Sequence, residues 1–170
     1  TEGHLTDLDI SGATIVEGGG AYFIRNLGEY YNYEVEKHYT LNDVITSFMF
    51  YETILENISL PQGVVDISSN AFYRCSSLSN IVIPEAVTSI GDGAFNGCSS
   101  LTSIAIPEAV TSIGASSFRN CILLEEVSIS PQSALTSIGA SAFSGCSSLI
   151  SINIPDGVTS IGKFAFNGCT

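Results

Sequence analysis

Five cysteines recur at a nearly fixed spacing. Their thiols could support more kinds of reaction or binding than any other side chain of this chain. The gap between successive cysteines is 23 in three cases and 25 in one. Thiols can form disulfides, bind metals or act as nucleophiles. An odd number leaves one cysteine unpaired, and the period sets all five in one inward-facing column, which is poor geometry for a bridge. No C-x-x-C pair occurs. We therefore predict buried structural thiols, without disulfides and without a metal site, at Cys75, Cys98, Cys121, Cys146 and Cys169.

Other combinations of residues that could support catalysis are also missing from the sequence. No G-x-S-x-G occurs, and the abundant serines fall in repeated turn positions such as Ser99 and Ser100. Both histidines, His4 and His38, lie outside the regular repeats. Adjacent Glu125 and Glu126 would face different ways on a strand, so they do not form a carboxylate pair. The sequence therefore predicts a protein that is not an enzyme and has no cofactor.

Two apolar columns share the spacing of the cysteines. The same repeated structure must therefore position the thiols. Phenylalanines and isoleucines recur with the same four gaps. A period in this range is the signature of a solenoid, in which stacked coils bury each other's apolar faces. In the repeat from Leu101 to Leu123, Ile104 and Ile106 share one face of a short strand that ends at Pro107. Val110 and Ile113 begin a second apolar edge, and Gly114 is expected to turn the chain.

Six segments fit the strand position of this repeat. They predict a β-rich leucine-rich-repeat solenoid of about six coils, with short parallel strands and little helix. The predicted domain is continuous: residues 1–57 form divergent N-terminal coils with a tyrosine-rich insertion at about 14–42, and residues 58–170 form five regular repeats of 23 to 25 residues. The six strand segments open at Leu5, Leu55, Leu78, Leu101, Leu124 and Leu149.

The repeated string L-x-x-I-x-I-P-x-x-V-T-S-I-G-x-x-A-F-x-G-C-S-S resembles the BspA-like, or Treponema pallidum-type, leucine-rich repeat. The resemblance covers residues 58–170 closely and the first 57 loosely, and the opening LTDLDISGATIV is similar to the first strand of Bacteroidetes members. It implies a secreted or cell-surface bacterial protein that recognises host or matrix proteins, for example in adhesion. It supplies no catalytic residues. The chain begins at Thr1 without a signal peptide and ends in mid-coil, so we expect it to be part of a longer chain.

Charge limits the possible partners. The formal net charge is −12, with −8 in residues 1–57 and −4 in residues 58–170. Nucleic acid requires a basic footprint, and an anionic membrane surface would repel this chain. No apolar run is long enough to enter a membrane in this segment. Asp7 and Asp9 are not followed by a calcium-loop pattern, so they are interpreted as solvated positions on a strand.

Two regions are candidates for binding. The first is the outward face of the strands, where small and polar residues repeat; for this face we favour a solvated surface without a ligand, and binding is the alternative. Its candidate residues are Asp9, Ser59, Ser103, Glu126, Ser128 and Asn153.

The second candidate is the tyrosine-rich insertion, with Tyr22, Tyr30, Tyr31 and Tyr33. These rings could bind a glycan or a protein, or they could cap the open end of the solenoid. We favour the cap. Protein recognition is thus the leading hypothesis for function, a glycan-binding surface protein is the second, and a purely structural spacer is the third.

The fourth repeat is two residues longer than the others, which gives a local test of the register. The extra residues fall beside Pro131, so we predict a bulge after the strand. Leu135 should take the position of Val110, while Ile138 and Phe143 should stay in their columns, because solenoids absorb insertions in loops.

Overall fold

The computed structural model describes residues 7–9, 44–47 and 49–170, and these residues form a stack of coils without any helix. Eleven short strands lie in two columns, each strand parallel to those of the neighbouring coils. A turn-rich third side closes each coil. The predicted β-rich leucine-rich-repeat solenoid is confirmed.

The first column contains the strands that the sequence predicted. Each strand has an alternating exposed and buried pattern from β3 onward, because the isoleucines and Val127 face the core, whereas Val82 faces solvent. Leu8 is paired with Ile58, and Ile58 with Ile81, as the aligned repeats require. Residues 151–154, the sixth predicted position, are not a regular strand. The strands of this column are β1 (Asp7–Asp9), β3 (Asn57–Ser59), β5 (Asn80–Val82), β7 (Ser103–Ile106) and β9 (Glu126–Ile129).

The second column is an unbroken six-stranded sheet, where the sequence had indicated only an apolar edge. Two residues per coil are too few to show an alternating pattern, so this sheet is visible only once the coils are stacked. Threonine hydroxyls reinforce it: Thr111 donates to the carbonyl of Thr88 at 3.2 Å, and Thr136 donates to that of Thr111 at 3.0 Å. The strands are β2 (Val44–Ile45), β4 (Asp66–Ile67), β6 (Ser89–Ile90), β8 (Ser112–Ile113), β10 (Ser137–Ile138) and β11 (Ser160–Ile161).

Stacked phenylalanine rings fill the third side of the coils. Neighbouring ring centroids lie 4.9 to 5.4 Å apart with nearly parallel planes. The backbone is also paired between coils here, as where the N–H of Phe95 donates to the carbonyl of Ser117 at 2.7 Å. Neighbouring coils thus pair through the second column and the phenylalanine turn, and through the first column except between β5 and β7 and at residues 151–154. The buried rings contribute a large apolar area. The stack comprises Phe50, Phe72, Phe95, Phe118, Phe143 and Phe166.

Gly114 has a different role from the predicted one. Its backbone does not need the left-handed conformation; instead, a Cβ atom there would lie 2.6 Å from the backbone nitrogen of Asp92 in the preceding coil. Gly139 has the same contact with Ala115 at 2.5 Å. These glycines therefore allow two coils to approach closely. The absence of a Cβ atom is required by the neighbouring coil and not by the conformation of a single repeat.

Left-handed residues lie instead within the phenylalanine turn. Gly93 takes this conformation, and in the equivalent position of other coils Ser116 and Phe164 take it without being glycine, with φ of 55° and 61°. An L-residue is strained in this region. Phe164 is also 71% exposed, since no further described coil packs on that side of it.

The longer fourth repeat is accommodated as predicted. Its extra residues form a loop between β9 and β10, and Leu135 is fully buried in the position of Val110. Ile138 pairs with Ile113, and Phe143 stacks on Phe118. The extra length therefore leaves the core columns in register.

Candidate functional site

The strand face is the surface that the first column presents to solvent. Its two outward positions are exposed in each coil from β3 onward, because the intervening residues point into the core. Ser59, Ser103, Glu126, Ser128 and Asn153 all lie on this face and are exposed. The backbone of Asp9 pairs with that of Ser59 in the same column. Of the two candidate regions, this is the one that the described residues contain.

A hollow of about 610 Å³ lies over β5, β7 and β9 on this face. Ser103 and Ser128 line it, together with Asn80, Val82 and Ala105. These side chains are small, so the floor lies low between the bulkier edges. Val82 is 66% exposed and is the one large apolar side chain of the lining that is exposed. A volume of this size lies within the range of sites that hold a small ligand or a few side chains of a partner.

Carboxylates are distributed unevenly around this hollow. Glu85 and Glu108 line one edge, at equivalent positions of successive coils. The hydroxyl of Ser130 donates to Glu108 Oε1 at 2.7 Å, which orients that carboxylate. Glu126 is paired in register with Ser103, so it borders the hollow at the start of the strands. Among the described residues, no lysine, arginine or histidine lines the hollow.

The cations of the described residues lie elsewhere. Arg74, Arg119 and Lys163 are all in the phenylalanine turns, on another side of the coil. An ion pair joins Arg74 to Glu52 at 3.1 Å. Within residues 44–47 and 49–170 the carboxylates around the hollow therefore have no ion-pair partner.

The thiols form a column inside the solenoid. Each Sγ donates to a phenylalanine carbonyl one coil back, for example Cys121 to Phe95 at 3.2 Å and Cys146 to Phe118 at 3.0 Å. The first four cysteines are buried, as predicted, and Cys169 in the last described coil is half-buried. All five are free.

Burial raises the pKa of four of these thiols, whereas a hydrogen bond with Cys98 lowers the pKa of Cys75. Burial raises the pKa of Cys121 well above its usual value and that of Cys146 to about 12, because a thiolate would lose its hydration inside the apolar column. A nucleophilic or metal-binding cysteine requires an accessible thiolate. The column is therefore suited to packing and not to chemistry.

An aromatic cluster at the edge of the phenylalanine turns was missed by the sequence reasoning. Tyr51 and Tyr73 stack with centroids 5.3 Å apart, and the guanidinium of Arg74 lies 5.4 Å from the centre of the Tyr73 ring. The signal was the repeated pair Phe-Tyr at residues 50–51 and 72–73. The stack covers one face of each ring, and Tyr51 is still 39% exposed.

The tyrosine-rich insertion is the candidate region that the structure does not test. Tyr22, Tyr30, Tyr31 and Tyr33 lie outside the described residues, so the choice between a cap and a binding platform stays a prediction.

The described part of the chain contains neither a metal site nor a membrane-spanning helix. Residues 7–9, 44–47 and 49–170 contain no group of three His, Cys, Asp or Glu side chains arranged to hold a metal ion. The same residues contain no helix with the length and apolar character needed to cross a membrane.

Comparison with known proteins gives a family match over most of the chain. A model described as a BspA type leucine rich repeat region matches residues 43–170 in six copies. No curated protein matches the sequence.

Three solved structures of bacterial leucine-rich repeat proteins are similar to this chain. The Treponema pallidum protein is 34% identical with a TM-score of 0.64, over 67% of this chain and 55% of its own. The Bacteroides ovatus protein has the same identity and TM-score, over 71% of this chain and 32% of its own. A leucine rich cell surface protein from Faecalibacterium prausnitzii is 28% identical with a TM-score of 0.59, over 98% of this chain and 46% of its own. The chain thus spans about a third to a half of the length of these proteins.

Proposed function

The chain belongs to the BspA-type leucine-rich repeat family, and we propose that it is a non-enzymatic interaction module of a secreted or cell-surface bacterial protein. Its task is to recognise a protein of the host or the extracellular matrix, as an adhesin does. The Faecalibacterium relative is described as a cell surface protein, which supports this location.

One observation carries the proposal: the strand face is exposed, hollowed and supported by a rigid core. Behind Val82 and Ala105 lie buried residues such as Ile81 and Ile104, and every coil is hydrogen-bonded to its neighbours. A preformed surface loses little conformational entropy on binding. Stacked strands with small outward side chains therefore provide a broad platform that a protein surface can approach closely.

A matched pair of substitutions tests whether this face binds. Ala105→Arg adds a bulky cationic group to the floor of the hollow, while Ala140→Arg makes the same change at an exposed alanine away from it. Capture of host and matrix proteins should be measured for both variants and for the unchanged chain. We expect Ala105→Arg to lose capture and Ala140→Arg to retain it. Equal capture by all three would mean that the strand face is not the binding surface.

A glycan array run with the same three proteins tests the second hypothesis. Sugar binding that is unaffected by Ala105→Arg, together with no protein capture, would favour a glycan-binding protein that uses another surface such as the tyrosine-rich insertion. Absence of both activities would favour the spacer.

A further inference from the structure

We propose that the hollow binds a basic segment of a partner protein. This segment is rich in lysine or arginine and lies across β5, β7 and β9. This inference rests on the proposed function, since it names the kind of protein surface that the strand face receives.

The charges around the hollow determine which sign of charge a partner surface should carry. Glu85 and Glu108 line it, Glu126 borders it, and none of the described residues that line it is cationic. The charges of two binding surfaces are usually complementary: a negative patch accelerates association with a positive one and repels a negative one. Acidic proteins, nucleic acid and sulfated glycans are therefore disfavoured at this face.

The apolar floor of the hollow favours partner side chains that have a long apolar stem. Lysine and arginine have an apolar stem and a charged head, and they bury the stem while the head stays near water or a carboxylate. Val82 and Ala105 provide an apolar surface for such a stem, and Glu85 and Glu108 are at the edge where a head would emerge. Ser103 supplies a polar group for hydrogen bonds with the partner's backbone.

The dimensions suit an extended segment. Three neighbouring strands at about 4.8 Å spacing span about 10 Å, which equals the length of three to four extended residues. Successive side chains of an extended segment point in opposite directions, so alternate basic residues would face the floor. The orientation of Glu108 by Ser130 gives one of these residues a fixed acceptor.

The test compares two double variants with the same change in net charge. Glu85→Gln with Glu108→Gln removes the carboxylates that line the hollow. Glu125→Gln with Asp156→Asn removes two exposed carboxylates that do not line it. The probe is a fluorescent nonapeptide with lysine or arginine at alternate positions, and its charge-reversed counterpart carries glutamate there. Fluorescence anisotropy at several salt concentrations gives the affinities.

We expect the unchanged chain to bind the basic peptide and not the acidic one. The first double variant should lose at least tenfold in affinity and much of the salt dependence, while the second should change less than threefold. Equal weakening in both variants would show attraction by overall charge only and would overturn the inference. Failure of the unchanged chain to bind the basic peptide would also overturn it. If Ala105→Arg still abolished capture of a protein partner in that case, the proposed function would stand without this inference.

Discussion

The rings of Phe118 and Phe143 stack with centroids 5.2 Å apart and planes 5° from parallel, although the longer fourth repeat connects them. Phe95 and Phe118, which a repeat of ordinary length connects, have the same centroid distance. The core geometry is therefore independent of loop length, because the extra residues lie in the exposed loop after β9.

Shortening this loop should leave the solenoid intact. Deleting Ser130 and Gln132 would restore the length of the other repeats and leave the order Ile-Pro-Ser-Ala-Leu, similar to Ile106–Val110. We expect the free energy of unfolding to stay within about 1 kcal/mol, because the deletion removes only exposed hydrogen bonds such as that from Ser130 to Glu108. Chemical denaturation measures this. A loss of several kcal/mol would mean that the loop holds the two coils in register.

Removing one ring from the stack should be costly. Phe118 is fully buried between Phe95 and Phe143, so Phe118→Ala should lower the free energy of unfolding by about 3–5 kcal/mol through a cavity. The matched control is Phe164→Ala at an exposed phenylalanine, where we expect no loss. Chemical denaturation of both variants gives the comparison. A loss below about 1 kcal/mol for Phe118→Ala would contradict the packing described for this column.

Adding a methyl group between two coils should also destabilise the stack. Gly114→Ala sets a Cβ atom 2.6 Å from backbone atoms of Asp92 and Gly91, which cannot move without separating the coils. We expect a loss of about 1–3 kcal/mol in denaturation experiments. In Gly157→Ala the nearest atom, the carbonyl oxygen of Leu135, is 3.3 Å away, so the loss should be much smaller. Equal losses would point to a general cost of alanine and not to the close approach.

A left-handed serine offers a stabilising substitution. Ser116 has φ of 55°, and the equivalent residue one coil back is Gly93. Ser116→Gly should raise the free energy of unfolding by about 0.5–1 kcal/mol, since the relieved strain exceeds the entropy that glycine adds to the unfolded chain. Thermal unfolding should show the opposite sign for Ala115→Gly, because the neighbouring alanine is not left-handed. Destabilisation by both variants would contradict the strain argument.

The buried thiols should make the protein less stable at alkaline pH. Burial raises the pKa of Cys146 to about 12 in the folded chain, whereas an unfolded cysteine titrates near about 8.5. Its contribution is therefore fully present below the unfolded pKa and is lost as pH rises from about 8.5 towards 12, by up to about 1.4 kcal/mol per pH unit. Denaturation at pH 7 to 11 should show a shallower decline for Cys146→Ala than for the unchanged chain. Identical slopes would mean that this thiol does not titrate differently in the two states.

A thiol reagent at pH 8 provides the control for this pH dependence, since it measures directly whether the column is buried. Cys169 is half-buried and should react first in the folded protein, while Cys98 and Cys121 should react only after denaturation. Reaction of all five thiols at one rate in the folded protein would contradict the burial on which the pKa of Cys146 depends.

The sequence by itself determined the period, the core columns and the first strand column. These follow from one repeat, because alternating isoleucines, a terminating proline and recurring phenylalanine and cysteine are local signals. It also identified Ser103 and Ser128 as outward residues, and it predicted that two extra residues beside Pro131 would stay in a loop.

Only the tertiary structure decided the features that exist between coils. The second sheet needs several stacked coils before its two-residue strands form a ladder. The need for glycine at Gly114 comes from its close approach to the backbone of Asp92 in the preceding coil. The hollow is likewise formed by three neighbouring strands, with Glu85 and Glu108 brought to one edge although they belong to successive repeats. The physical reason is the same in each case: a repeat specifies its own inward residues, whereas distances between coils are set by how the stacked backbones pair and pack.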